Sequence, residues 1–462
     1  MIRNPRRRDL SCVIESDIER QRGFAPAAMT AAIAFGAMLA AFAPHSGTAS
    51  TFTVNTAGDP GPGGTVSLRQ AVASANASSG NTVQFDASLA SSTITLASGE
   101  IGIIQPMDII GPGAGLLTIS GNDASRIFKL SCPLGNAVTI SGLTLTHGRT
   151  TTAGGAIYSD HCIFTLKDSR VTDSYAQRDG GGIGVYGAFD VQINGSLIAG
   201  NSAGLYGGAI DLYYSQASIS RSTISGNISQ FQGGGIRVLG ASASFPPTGL
   251  QLRYSTVSGN VILSPPGSAP SQGGGGLMIY RTKLYASNST IAGNYAYAGG
   301  SGVALVGSYA GNNAFIKAST IAGNNSCCYE TGNGITSTGG TPIVRTSIVA
   351  NNFSRAGIYD LSGSFKVYGS LVRNAGTALV TESGSLFGVD PKLSKLADHG
   401  GSTWTMLPAA DSPAVDTPVG CDAPLTKDQR GFTRCINGNS DMGAVERQTV
   451  EDIIFRDGFD FP

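Results

Sequence analysis

The sequence predicts an all-β chain wound as a single-stranded parallel β-helix, and three observations predict it. A serine recurs at Ser169, Ser196, Ser222, Ser255, Ser289, Ser319, Ser347 and Ser370, 23 to 34 residues apart, the period range of solenoids. Apolar residues stand five before, three before and two after nearly every serine (Leu250, Leu252 and Val257 around Ser255), with mostly polar residues between. Alternation with period two marks a half-buried strand, and no stretch of these coils carries the 3.6-residue period of a helix. A glycine phrase recurs in step, as Gly154-Gly155-Ala156-Ile157, Gly207-Gly208-Ala209-Ile210 and Gly233-Gly234-Gly235-Ile236. One repeat is too short to bury its own apolar face, so the columns become an interior only when coils stack. The Gly-Asn after most of the short strands suits a corner, because both residues tolerate a positive φ. Asn227, Asn260, Asn294 and Asn324 are spaced to stack their amides along that corner.

Composition agrees with a stack of turns. The chain has 65 glycines in 462 residues and only 13% charged residues, with 41% hydrophobic, so it is neither disordered nor highly charged. A net charge of zero offers no basic surface for nucleic acid or an anionic membrane.

Taken in order, the chain opens on an apolar run at 24–43, preceded by Arg3, Arg6, Arg7 and Arg8 and followed by the small residues Gly47-Thr48-Ala49. Residues 1–49 therefore read as an export signal, which leaves a secreted or surface protein with no membrane span in the mature chain. Residues 50–137 read as an N-terminal cap and irregular first coils: a strand at 51–54, a glycine-proline turn at 59–64, and a helix from Ser67. Ser67 can cap that helix, and Leu68, Val72 and Ala75 share one face that would cover the open end of the solenoid. Short strands follow at 83–85, 93–96, 107–110, 117–120 and 127–130. The regular coils occupy 138–375, with loops leaving the wall at 244–250 and 264–272. Residues 376–447 are turn-rich, contain the one tryptophan, Trp404, and read as a C-terminal cap. Residues 448–462 form a separate tail.

Without Cys12, six cysteines remain, an even number that suits an oxidising compartment. Cys132 and Cys162 are about one coil apart and could lie one above the other. Cys421 and Cys435 could close a small loop, whereas the adjacent Cys327 and Cys328 would bridge only under strain or stay as thiols. No metal site is expected, because no pair of Cys-x-x-Cys motifs with partnering histidines is present.

These motifs bring a known group into view. The chain resembles the secreted bacterial right-handed parallel β-helix proteins with a pectate-lyase-like (pectin-lyase) fold, in the branch with a choice-of-anchor Q domain. Val66-Ser67-Leu68-Arg69-Gln70-Ala71-Val72 resembles the family's Cys-Ser-Leu-Arg-Glu-Ala-Ile motif, with valine for the cysteine and glutamine for the glutamate. The series Asp390-Pro391, Asp398-His399-Gly400-Gly401, Ser412-Pro413-Ala414-Val415-Asp416 and Asp428-Gln429-Arg430-Gly431 matches more specifically. The resemblance implies a right-handed coil and an exported, surface-associated protein. It leaves activity open, because the fold hosts lyases, hydrolases and non-catalytic proteins alike. The tail at 454–459 resembles short C-terminal tails of exported bacterial proteins, where they are suspected of sorting or attachment.

A polysaccharide lyase would need a base and usually carboxylates holding Ca²⁺; a glycoside hydrolase would need two carboxylates at a controlled separation. Asp160, Asp168, Asp173, Asp179, Asp190 and Asp211 cluster in the early coils beside His161, but at unlike offsets, so they are not expected to assemble one site. Catalytic residues are not readable, and Ca²⁺ enters only if the chain is a lyase. The alternative is a monomeric, non-catalytic protein that binds a polysaccharide or cell-surface glycan. All 15 tyrosines lie between Tyr158 and Tyr368, and rings with a polar tip suit sugar faces. An outward column holds Arg253, Lys317 and Arg345, and the next holds Tyr285 and Phe315. Together they form a candidate wall for an acidic glycan. A rigid surface spacer with no ligand is the third reading. Between an enzyme and a binding protein, the residue pattern favours binding.

Overall fold

The computed structural model describes residues 49–133, 136–240, 249–263, 273–297, 299–307, 314–326, 334–355, 357–376, 378–417, 420–421, 425–436 and 438–448. They form a right-handed parallel β-helix of about 11 turns. Four walls follow the chain around each complete coil, and among the described residues walls one to four hold 13, 12, 9 and 10 strands. One coil shows the unit: Gln216–Ser220 lies in wall one, Thr223–Ser225 in wall two, Ile228–Ser229 in wall three and Ile236–Leu239 in wall four. Among the described residues the strand pairings in the four walls are parallel except that of Phe353–Ser354 with Gly357–Ile358.

The apolar columns face inward as the alternation requires. Ala217, Leu250 and Leu284 stack in register in wall one, and Ile224, Val257 and Ile291 in wall two, all buried. Polar ladders hold the corners. After the first, Ser169, which accepts from Leu143 N, each repeat serine accepts from the backbone of the serine one coil before, as Ser222 Oγ does from Ser196 N at 3.1 Å, and donates to a carbonyl two residues back. The asparagine amides run Asn227 to Asn260 to Asn294 to Asn324 at 2.9 Å per step. This ladder starts one coil earlier, at Asn201, and ends through Asn352 on Asp360. Asp360 is an acceptor-only terminus, and burial pushes its carboxyl up to about 6. The glycine phrase also has a steric cause. A Cβ on Gly208 would collide with the carbonyl oxygen of Gly234, so successive coils approach too closely for a side chain there.

The helix Leu68–Ala75 is closed by a capping box between Ser67 and Gln70. It buries Leu68, Ala71, Val72 and Ala75 against the first strands of walls one and four.

Two expectations are corrected. Gly249 and Leu250 belong to the wall-one strand Gly249–Arg253 and not to a loop, because Leu250 fills an inward position. The turn-rich segment that begins at Asp390 is not confined to the C-terminal end; it lies along the outside of wall two as far back as Thr256. Gln429 donates to Thr256 Oγ1 at 2.9 Å and accepts from Thr290 Oγ1 at 2.6 Å. Asn288 donates to the Lys427 carbonyl at 3.0 Å, and Gly443 N to the Thr346 carbonyl at 2.9 Å. Ala414 and Met442 pack on Ile348, Ala350 and Leu371. The cause is the outward column of wall two, Thr256, Thr290, Thr320, Ile348 and Leu371. These side chains are short hydroxyls and aliphatics, a face that needs a cover. The expected export signal up to residue 48, residues 244–248 and 264–272, Cys327, Cys328 and the tail from 449 lie outside the described residues.

The flank carries its own buried charge cluster. Arg430 pairs with Asp428 at 2.9 Å, and Arg434 donates to the carbonyl of Asp441 at 2.9 Å. Glu446 accepts from the backbone of Asp441 and Cys435, and burial, with Asp441 beside it, pushes its carboxyl up to about 7. A carboxyl raised above its ordinary value favours the fold fully only below that value, and the advantage is lost as pH rises through about 7. The melting temperature should therefore fall between pH 5 and pH 8, with a free-energy change of about 2–3 kcal/mol from this group. Asp360 acts in the same direction. In Glu446→Gln the slope of melting temperature against pH should flatten; an unchanged slope would show that Glu446 does not titrate there.

Candidate functional site

Wall one presents two outward columns side by side. In the first, Arg253 pairs with Ser287, Ser287 with Lys317, Lys317 with Arg345, and Arg345 with Tyr368. In the second, Gln251, Tyr285, Phe315, Ile343 and Lys366 follow one another. Neighbouring strands lie roughly 4.8 Å apart, so each column runs along the solenoid axis with one side chain per coil. Tyr285 is 47% exposed; Arg253 and Arg345 are exposed, while Phe315, Lys317 and Ile343 are half-buried. Tyr285, Phe315, Lys317 and Arg345 are thus neighbours on one surface. Arg253 heads the cationic column and stands one serine away from Lys317. At the other end, Arg345, Tyr368 and Ser383 also line a cleft of about 610 Å³ against the flank, which contributes Asp416, Thr417 and Met442. The sequence could not show that cleft, because it depends on where the flank lies.

The early carboxylates are partly brought together, against expectation. Arg237 donates from Nε to Asp211 Oδ1 at 2.6 Å and from Nη2 to Asp211 Oδ2 at 3.0 Å, and Nη2 lies 3.8 Å from Asp179. Its guanidinium is 4.0 Å from the Tyr206 ring centroid. Asp211 is the register partner of Arg237 in wall four, and the long arginine side chain reaches on to Asp179 in the coil beyond. All three charged groups are buried, Arg237 to 1% exposure, which closes the cluster to solvent and makes it a structural tie. Asp160 goes elsewhere. Its Oδ1 is 2.5 Å from His161 Nδ1, and the imidazole meets the Tyr186 ring edge-on at 5.2 Å. Tyr186 in turn stacks on Tyr213 at 5.3 Å. Asp168 lies beside Lys167 and Asp190 beside Gln192, away from both groups. Among the described residues no three His, Cys, Asp or Glu side chains converge to hold a metal ion.

Cys132 and Cys162 are joined across successive coils with Cα atoms 5.2 Å apart, and Cys421 and Cys435 are joined in the flank at 5.3 Å. Among the described residues no helix is long and apolar enough to cross a membrane.

Residues 208–390 match the family model described as a right-handed beta helix region. No curated protein matches the chain. Among solved structures it is similar to pectate lyase Pel9A at 12% identity, covering 87% of this chain and 97% of that one with a TM-score of 0.47. It is also similar to tailspike protein 3 of bacteriophage CBA120 at 14% identity and a TM-score of 0.34, with 71% of this chain covered. A PL6 family alginate lyase, AlyGC, is similar at 12% identity and a TM-score of 0.33, with 86% of this chain covered. The chain spans 60% of the length of each of the last two.

Proposed function

We propose that this is an exported, monomeric, non-catalytic protein that binds an acidic polysaccharide along wall one. The observation that carries the reading is the strip of exposed Tyr285 and half-buried Phe315 and Ile343, in register beside Ser287, Lys317 and Arg345. Aromatic rings offer their faces to the C–H side of a sugar ring, and cations beside them attract its carboxylates. A linear polymer laid along the axis would meet an apolar side chain beside a cation in two successive coils, Phe315 with Lys317 and Ile343 with Arg345. The reading needs no metal or other cofactor, and it places the chain outside the cell or on its surface.

The test is retention of polygalacturonate and alginate on the immobilised protein, with neutral dextran as reference and salt varied. Retention of the acidic polymers should fall with added salt, as screening of exposed charges requires. Lys317→Ala with Arg345→Ala should weaken it by about tenfold, or 1.4 kcal/mol. Unchanged retention would remove the wall from consideration. Unsaturated product released from either polymer, followed by ultraviolet absorbance with and without Ca²⁺, would overturn the non-catalytic reading. Retention of no glycan at all would leave the protein a spacer.

A further inference from the structure

A second surface feature lies in the early coils, apart from the strip of Tyr285 and Arg345, and follows from how the solenoid begins. Walls one, two and four start at Thr51–Val54, Ser92–Thr95 and Ile101–Ile103, but among the described residues wall three has no strand before Arg149–Thr150. The first coils are therefore three-walled and the later ones four-walled. The step between them leaves a notch of about 690 Å³, lined chiefly by Glu100, Asp123, Arg126, Arg149, Tyr175 and Gln177.

The floor of the notch is rigid. Arg126 is 6% exposed; its Nε donates to the Gly154 carbonyl at 2.9 Å, and Nη2 to Thr152 Oγ1 and the Ala153 carbonyl at 2.8 Å each. One Nη1 hydrogen goes to Glu100. A guanidinium has five N–H groups, so one Nη1 hydrogen has no hydrogen-bond acceptor among the described residues, and the guanidinium lies 5.3 Å from the Tyr158 ring centroid. One side is a stacked pair, with the Arg149 guanidinium 4.8 Å from the Tyr175 ring centroid. Asp123 and Gln177 are exposed, and neither side chain hydrogen-bonds another described residue.

We infer that this notch binds a neutral saccharide unit. Its volume lies within the range of small-ligand pockets, roughly 300–1,000 Å³. Two carboxylates offset two guanidiniums, so the lining is neutral overall while rich in directional donors and acceptors. A phosphate or uronate would meet Glu100 and Asp123, and a divalent cation would meet Arg126 and Arg149. Vicinal hydroxyls, each both donor and acceptor, can use the carboxylate, amide and guanidinium groups together. The inference is independent of wall one, whose ligand is acidic.

Titration calorimetry on the full mature chain tests it, with maltotriose, xylotriose and mannotriose as neutral probes and digalacturonate, inorganic phosphate and Ca²⁺ as charged ones. At least one neutral trisaccharide should bind saturably. Asp123→Asn combined with Gln177→Ala, both at exposed positions, should weaken that binding by about tenfold or more. The same double variant should leave the melting temperature and the retention of polygalacturonate unchanged. Binding of charged probes alone, of no probe, or of a trisaccharide whose affinity moves less than about twofold in the double variant would overturn the inference.

Discussion

Arg237→Ala is expected to lower the unfolding free energy by about 3–5 kcal/mol, the largest effect of any single change considered. Asp211 and Asp179 share this one guanidinium inside the protein, and both carboxylates are buried. Removing it leaves two like charges out of water with the loss of their common cation. It also vacates the volume of the largest fully buried side chain, which lies against the Tyr206 ring. Arg237→Lys separates charge from geometry: the charge stays, but the two-pronged contact to Asp211 is lost, so it should cost only part of the alanine effect. Urea unfolding followed by circular dichroism reads both. An alanine variant within about 1 kcal/mol of the parent would show that the tie contributes little.

Asn260→Ala is expected to cost about 4 kcal/mol. The side chain donates to the Ile224 carbonyl at 3.0 Å and to Asn294 Oδ1 at 2.9 Å, and it accepts from the backbone and side chain of Asn227 at 3.0 and 2.9 Å. Alanine leaves those groups buried at a corner, at about 1–3 kcal/mol for each that stays unpaired. Asn260→Asp gives the sharper reading. It keeps the acceptor toward Asn227 but turns an oxygen on Asn294 Oδ1, so its deficit relative to the parent should be markedly larger at pH 8 than at pH 4, where a protonated carboxyl can donate. A deficit from the parent that is equal at the two pH values would show that the ladder tolerates a carboxylate in mid-run. Only Asp360, at its end, holds one among the described rungs, and there both partners, Asn352 and Asn374, donate to it.

Much of the fold is legible because a solenoid writes its geometry into a period. The serine spacing and the residues around Ser255 assign each side chain to interior, corner or surface without any long-range information. The two columns of wall one, from Arg253 to Tyr368, are legible for the same reason. The remainder depends on contacts between unlike positions. Asp179 and Asp211 meet because Arg237 is long enough to span two coils, a property of one side chain that no offset count contains. The flank carries no period, so its residues could not be set against Thr256, Thr290 and Thr320 in advance. The notch under Arg126 arises from a strand that is missing in the first coils, and its outline appears only once all four walls are drawn.

The flank also changes how the array comes apart and comes together. In a plain solenoid each coil touches only its neighbours, and rungs can fray from an end one at a time. Here one continuous segment grips the chain from Tyr254 and Thr256 through Asn288, Thr290 and Thr320 to Thr346. Those coils are splinted into a block that opens together or not at all. Their partner is also the last part of the block to be synthesised. A chain emerging from its N-terminus must hold this run of coils with one side unclad until Gly443 arrives, and the splint is then the closing step of assembly.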